Sequence, residues 1–298
     1  MLDPRQLEAL AAVIEGGSFG AAAKALSLTL AAVSLRIKSL EAALGQRLLV
    51  RGKQVRATPA GQALVRHVRQ LRLMEADLMA GLPGADTGAA ARMQSLSVAV
   101  NADSLASWFL PGVAPALQQH RLLLDVVVDD QDHTHDALTS GDVTGCVTTL
   151  AQAMRGCVAE PLGIMRYRCV AAPSLLVEWG NALPHRLLHS PAVIFNRKDA
   201  LQDAWLAQHF NLHGALYPRH FVPAVDAFEM ALELGLGWGM VPDLLLGARA
   251  GRAPLEEVVP NRPVDVVLYW QHWAREPLAA QRLTQAIKRA ARECLLQT

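Results

Sequence analysis

Apolar positions recur with a helical period through the first eighty residues and then fall into alternating strand-like and helix-like blocks. Leu7, Leu10, Ala11 and Ile14 stand at i, i+3, i+4 and i+7 and predict a short amphipathic helix ending at Gly16-Gly17. Ser18 is placed to cap a second helix that buries Phe19, Ala22, Ala23 and Leu26, where alanine lets two helices approach closely. After Ser27-Leu28-Thr29, Thr29 is placed to cap a third helix, whose inward stripe is Val33, Ile37, Leu40 and Leu44. Ala31, Ser34, Leu35 and Lys38 then face outward. Two short helices, a tight turn and a third helix with a basic edge predict a helix-turn-helix. Leu48–Val50, the turn Arg51-Gly52-Lys53 and Gln54–Arg56 predict a two-stranded wing. Thr58-Pro59 opens a long helix to about residue 80. Leu64, Val68, Leu71, Met74 and Leu78 form a narrow stripe along it, close to a coiled-coil seam, and predict a homodimer, with packing on the chain's own body as the alternative.

Residues 81–93 are Gly/Ala-rich and read as a hinge. Beyond them, strands are predicted at Leu96–Val100, Leu122–Val128, Gly145–Thr149 and Met165–Ala171, with helices at Ser104–Gln118 and Thr134–Thr139. That rhythm predicts an α/β body with mainly parallel strands, in which small ligands bind beyond the carboxyl ends of the strands.

Charge divides along the same boundary. Residues 1–80 contain eleven Lys/Arg and six Asp/Glu, while the remainder carries a net −4, although the whole chain sums to +1. Between Lys24 and Arg72 the only acid is Glu41. A basic head on an acidic body points to a polyanion partner for the head alone. The four cysteines (Cys146, Cys157, Cys169 and Cys294) lack CxxC spacing and are expected to be reduced thiols. No apolar run reaches the roughly 18 residues of a membrane helix. The stretch MLDPRQLEAL has no signal-peptide pattern, so a cytoplasmic protein with no membrane contact is expected.

The segment SFGAAAKALSLTLAAVSLRIKSLEAALGQRLLVR, followed by ATPAG, resembles the winged helix-turn-helix of LysR-type transcriptional regulators. The shared marks are Ala22-Ala23, Ala32-Val33-Ser34, Leu40-Glu41, Leu44-Gly45 and Leu49-Val50-Arg51. LSLAVNADSLASWFLPGVAPAL and the VLYW at 267–270 further resemble the ArgP/LysG-type branch, which controls basic amino acid export and includes a chromosome-initiation-inhibitor type. The resemblance implies an N-terminal all-α winged helix-turn-helix with a long linker helix. A C-terminal α/β effector domain of two periplasmic-binding-protein-like subdomains would follow. The implied boundaries are 1–58 for the DNA-binding domain, 59–80 for the linker (dimerisation) helix, 81–93 for the hinge and 94–298 for the effector domain. Within the last, subdomain I would be 94–163 with 269–298, and subdomain II would be 164–268.

The expected DNA-binding residues are Thr29, Ala31, Ser34, Leu35, Arg36 and Lys38 on the third helix, with Arg51, Lys53 and Arg56 on the wing. One departure from the family stands out. Its members usually open this helix with Gln-Ser or Pro-Ser and carry a polar residue after AVS, where this chain has Leu30, Ala31 and Leu35. Either these side chains contact thymine methyls, or base reading has weakened and backbone contacts with DNA shape supply the specificity. The second reading admits a low-specificity, nucleoid-type DNA binder.

In the body, Asn101, Asp103 and Ser104 follow a strand at a helix start, where amides suit a carboxylate and Asp103 suits an ammonium or guanidinium. Thr148, Phe195, Asp226, Phe228 and Asp130 complete the expected effector site, although each residue singly also fits a capping role. Lysine or arginine is a coherent effector. No cofactor is expected beyond that effector, and no metal, since DDQDHTHD (129–136) falls in a loop where Asp and His are common caps. No GxSxG, HExxH, P-loop or correctly placed GxGxxG occurs, so an enzyme is not expected. The expected partners are double-stranded DNA and a second copy through the linker helix. A homotetramer and RNA polymerase are further candidates.

Overall fold

The structure, a computed structural model, describes residues 2–50, 55–81, 93–128, 138, 142–154, 156–180, 185–248 and 251–297. Three helices open the chain: α1 (Pro4–Glu15), α2 (Phe19–Ala25) and α3 (Leu30–Leu44). Each begins on a side-chain cap that satisfies an orphan amide. Asp3 accepts from Arg5 N at 2.9 Å, Ser18 from Ala21 N at 3.1 Å and Thr29 from Ala32 N at 3.2 Å. The axes of α2 and α3 are bent 107° apart, and α3 ends on Gly45 in the left-handed conformation (φ 67°). Leu7, Leu10, Val13, Ala22, Val33, Ile37 and Leu40 close one buried core beneath them.

The wing is the antiparallel pair β1 (Leu49–Val50) and β2 (Arg56–Ala57). Thr58 then starts α4 (Pro59–Gly81): its hydroxyl accepts from Gly61 N at 3.1 Å and donates to the Arg47 carbonyl at 2.9 Å. Gly61 sits where a Cβ would meet the Leu48 carbonyl oxygen at 2.2 Å, so the helix can lie this close to the wing only without a side chain there.

The apolar stripe along α4 divides. Val68, with Val65, is buried in the head core and Leu64 packs against it, because three short helices cannot close that core alone. Leu71, Met74 and Leu78 remain exposed. Leu73 turns the other way and packs on the core of the body. Arg72 bridges Glu8 and Glu15 of α1, and Arg69 reaches Asp142 of the body at 2.7 Å.

The body is built on a nine-stranded sheet. β3 (Gln94–Val100) pairs in parallel with β4 (Leu122–Val128) and β5 (Gly145–Thr148). Two long strands, β6 (Cys157–Ala171) and a final β11 (Val264–Trp273), run antiparallel through the middle. On the far side β7 (Ala192–Ile194), β8 (Arg219–Phe221) and β9 (Trp238–Pro242) form a second parallel group, and the short β10 (Glu256–Glu257) pairs with β6. The expectation of a mainly parallel sheet is therefore corrected to a mixed one. β6 and β11 pair antiparallel with each other and extend that direction to each group, β11 antiparallel to β5 and β6 antiparallel to β9, a ladder that needs no βαβ crossover. Their register shifts between Leu268 and Tyr269, opposite Gly163 and Pro161. Leu162 is the extra residue there, a bulge beside a proline that cannot donate to the ladder.

After β3 the chain runs through α5 (Ala102–Ser104), a π-helical stretch (Leu105–Phe109) and α6 (Leu110–His120), contiguous pieces that cover the helix expected over 104–118. Helices α7 (Pro173–Trp179), α8 (His185–His189), α9 (Leu201–Phe210), α10 (Val225–Glu233) and α11 (Asp243–Gly247) surround the second parallel group. The closing helix α12 (Leu278–Cys294) buries Leu283, Ala286, Ile287 and Ala290 against the first. All four cysteines are free thiols, with Cys294 exposed. The predicted helix at 134–139 and the segment 129–136 fall almost wholly outside the described residues, as does most of the 81–93 hinge. Among the described residues no single helix is long and apolar enough to cross a membrane, and no group of side chains could hold a metal ion.

The close approach at Gly61 has a measurable consequence. Gly61→Ala is expected to destabilise the head by about 1–3 kcal/mol relative to Gly20→Ala, a helical site with open space that gains the same intrinsic propensity. Hydrogen exchange at the Val13 and Ile37 amides reads the difference; equal protection in the two variants would contradict it.

Candidate functional site

Two surfaces carry chemistry. The first is the outer side of α3 and the wing. Val33, Ile37 and Leu40 face inward, which leaves Thr29, Ala31, Leu35 and Lys38 exposed, with Ser34 and Arg36 at half-buried flanks. Arg56 is exposed on β2, while Arg51 and Lys53 lie outside the described residues. Glu41 is turned to the backbone: its Oε1 accepts from Leu48 N at 2.8 Å and from Leu49 N at 3.4 Å. This carboxylate pins the wing to α3. The Leu40-Glu41 pair thus serves construction, one residue closing the core and the next holding the wing.

The second surface is a pocket at the carboxyl ends of β3, β7 and β9, open to solvent on one side. Asp103 enters it from α5, Phe195 and Asp199 from the loop after β7, Phe228 and Glu229 from α10, and Met240 to Pro242 from β9. Three carboxylates share this space. Tyr167 of β6 donates to Asp103 Oδ2 at 2.7 Å. Asp199 holds its own loop, accepting from Phe195 N at 3.2 Å and Leu201 N at 3.0 Å. Glu229 is paired with Arg252.

The Asp103 side chain is half-buried in the pocket wall, and the burial of its carboxyl pushes the pKa from 3.8 up to about 6. The Tyr167 hydrogen bond opposes that rise, whereas the charges of Asp199 and Glu229 add to it. Burial and the neighbouring Asp103 also hold the Tyr167 phenol well above its usual range, so it stays a donor. The pocket is thus negative, apolar-walled and ready to stabilise a cation.

Of the residues predicted for the effector site, Asp103, Phe195 and Phe228 line this pocket. Asn101 and Ser104 flank Asp103 without lining it; Asn101 Oδ1 and the Ser104 hydroxyl are buried with no hydrogen-bond partner among the described residues. Thr148 is buried at the end of β5, where its hydroxyl accepts from Leu150 N at 3.2 Å. Asp226 is exposed on the first turn of α10, outside the pocket, and Asp130 lies outside the described residues. Asp199, Glu229 and Tyr167 were not foreseen. Glu229 had a signal: it lies beside Phe228 within an apolar stripe continued by Ala231 and Leu232, where a carboxylate is costly unless used.

The sign of the pH effect follows from geometry and linkage. The folded, ligand-free protein holds the Asp103 proton more tightly than the unfolded chain does. Stability therefore falls as pH rises from 3.8 to about 6, and the cost persists above that. Asp103→Asn is expected to stabilise the ligand-free protein by about 1–3 kcal/mol near neutral pH and to leave it unchanged below about pH 4. Thermal unfolding across that range checks it; destabilisation at neutral pH would contradict it.

Both halves of the chain match known protein families. Residues 4–62 match the family model of the bacterial regulatory helix-turn-helix protein, lysR family, and residues 90–292 match the LysR substrate binding domain. The transcriptional regulator ArgP of Pseudomonas fluorescens is 37% identical over 298 residues, covering 99% of each chain. The crystal structure of ArgP from Mycobacterium tuberculosis superposes with a TM-score of 0.89 at 39% identity over the whole of both chains. Full-length LysG from Corynebacterium glutamicum with bound effector Arg superposes with a TM-score of 0.82 at 33% identity, over 99% of each.

Proposed function

The chain belongs to the LysR family of bacterial helix-turn-helix regulators, and we propose that it is a transcription regulator switched by a basic amino acid, arginine or lysine. The observation that carries the effector reading is the three-carboxylate pocket formed by Asp103, Asp199 and Glu229, whose excess negative charge suits a guanidinium or ammonium. The structure of LysG bearing arginine, at 33% identity over nearly the full length, supports the same ligand class.

In this reading residues 1–58 bind duplex DNA, and 59–80 form the dimerisation helix through Leu71, Met74 and Leu78. Residues 81–93 are the hinge. The effector domain comprises subdomain I (94–163 and 269–298) and subdomain II (164–268), which meet across the β6/β11 ribbon. Effector binding between them favours one arrangement of the paired heads over another, and so changes how they sit on DNA. Dimers associate further into tetramers on two half-sites, RNA polymerase responds to the changed geometry, and an amino acid exporter gene is a target. The protein works in the cytoplasm at the nucleoid. It has no catalytic role and uses no cofactor other than its effector.

The test combines DNA selection with ligand binding. Genomic fragments bound at two salt concentrations, with and without arginine or lysine, are expected to yield a few fragments retained at high salt whose binding shifts with the amino acid. Uniform binding that collapses with salt would instead mark a low-specificity nucleoid-type protein. Asp103→Asn is expected to weaken arginine binding at least about tenfold, the loss of one charge-assisted hydrogen bond. Asp226→Asn, outside the pocket, is expected to leave it unchanged. Titration calorimetry on both variants decides, and equal effects would move the effector elsewhere.

A further inference from the structure

The centre of the outward face of α3 is aliphatic apart from Lys38, with the exposed Ser39 hydroxyl beside it. At 3.6 residues per turn, Ala31, Leu35, Lys38 and Ala42 fall opposite the buried Val33, Ile37 and Leu40. Leu35 is 65% exposed and Leu30 58%. Neither is needed by the fold: the helix is fixed by the Thr29 cap, its buried stripe and the Glu41 bonds to the wing. Reading guanine calls for an arginine or lysine fork and reading adenine for an amide, whereas thymine offers a methyl group that an aliphatic side chain can cover. On this face Lys38 is the one long donor, and Arg36 lies toward a half-buried flank. Charge complementarity names the occupant. Glu41, the only acid between Lys24 and Arg72, is turned to the wing amides and does not oppose a polyanion on this face.

We propose that Leu35, with Ala31 one turn before it, selects the operator half-site by packing on thymine 5-methyl groups in the major groove. Lys38, Arg36 and Arg56 hold the phosphates. This rests on the reading of the chain as a DNA-binding regulator. Residues four apart on a helix are about 6 Å apart along its axis, and successive bases about 3.4 Å. The two side chains therefore cover methyls one or two steps apart, and each half-site centres on a short A·T segment.

The experiment uses the full-length protein and duplexes selected from a random pool. Each thymine of the selected half-site is replaced in turn by deoxyuridine, which removes the methyl and keeps every hydrogen-bonding group. At one or two positions per half-site the affinity is expected to fall about fourfold, the value of one buried methyl-sized group. In Leu35→Ala that penalty is expected to vanish at one position, while Lys38→Ala weakens binding to all sequences alike. A sharp selected motif whose affinity ignores every deoxyuridine would overturn the proposal and leave the regulator reading intact. A penalty that persists unchanged in Leu35→Ala would also overturn it. A selection that returns no motif would overturn both.

Discussion

The hydrogen bond from Tyr167 to Asp103 is the contact on which the sensing half of the molecule depends. Tyr167 belongs to β6, one of the two strands common to both parallel groups, and Asp103 stands at the helix start beyond β3. The bond brings a carboxylate from the first group over a pocket whose other walls, with Asp199 and Glu229, come from the second. Burial penalises the charge on Asp103, the neighbouring Asp199 and Glu229 add to that penalty, and the carboxyl keeps its proton up to about pH 6. In the proposed function, a cation entering the pocket replaces that proton and supplies the countercharge. Ligand affinity and the relation of the two groups are thereby tied to the same side chains.

The head depends on a comparable economy. Glu41 is the one acid in a long basic stretch, and it is used to fasten the wing to α3. That leaves the exposed face of α3 positive at its edges and aliphatic at its centre. Between head and body, α4 serves three neighbours at once: Val65 and Val68 finish the head core, Leu73 meets the body, and Leu71, Met74 and Leu78 stay uncovered. Arg69 and Arg72 add ion pairs on either side of the junction.

Much of the head was legible in the sequence because its signals are local. Ser18, Thr29 and Thr58-Pro59 mark helix starts through side-chain caps, and the stripe Val33, Ile37, Leu40 sets the phase of α3. What depends on distant packing was less legible. The α4 stripe reads as one seam, yet the first two of its five residues are claimed by a core formed mainly from α1, α2, α3 and the wing. The mixed sheet was hidden because a strand's sequence does not declare the direction of its neighbours. In the pocket, Asp103, Phe195 and Phe228 followed from their positions at strand ends and helix starts. Asp226 was nominated for the same reason, but one helical turn placed Glu229 inward instead.

The most direct measurement is arginine titration calorimetry at about pH 6 in two buffers of different ionisation enthalpy, which counts protons exchanged on binding. About half a proton is expected to leave per arginine bound at that pH, and almost none near pH 8, where Asp103 is already ionised. Arginine binding with no proton released at either pH would contradict the account, because the cation would then be held by something other than the Asp103 carboxylate.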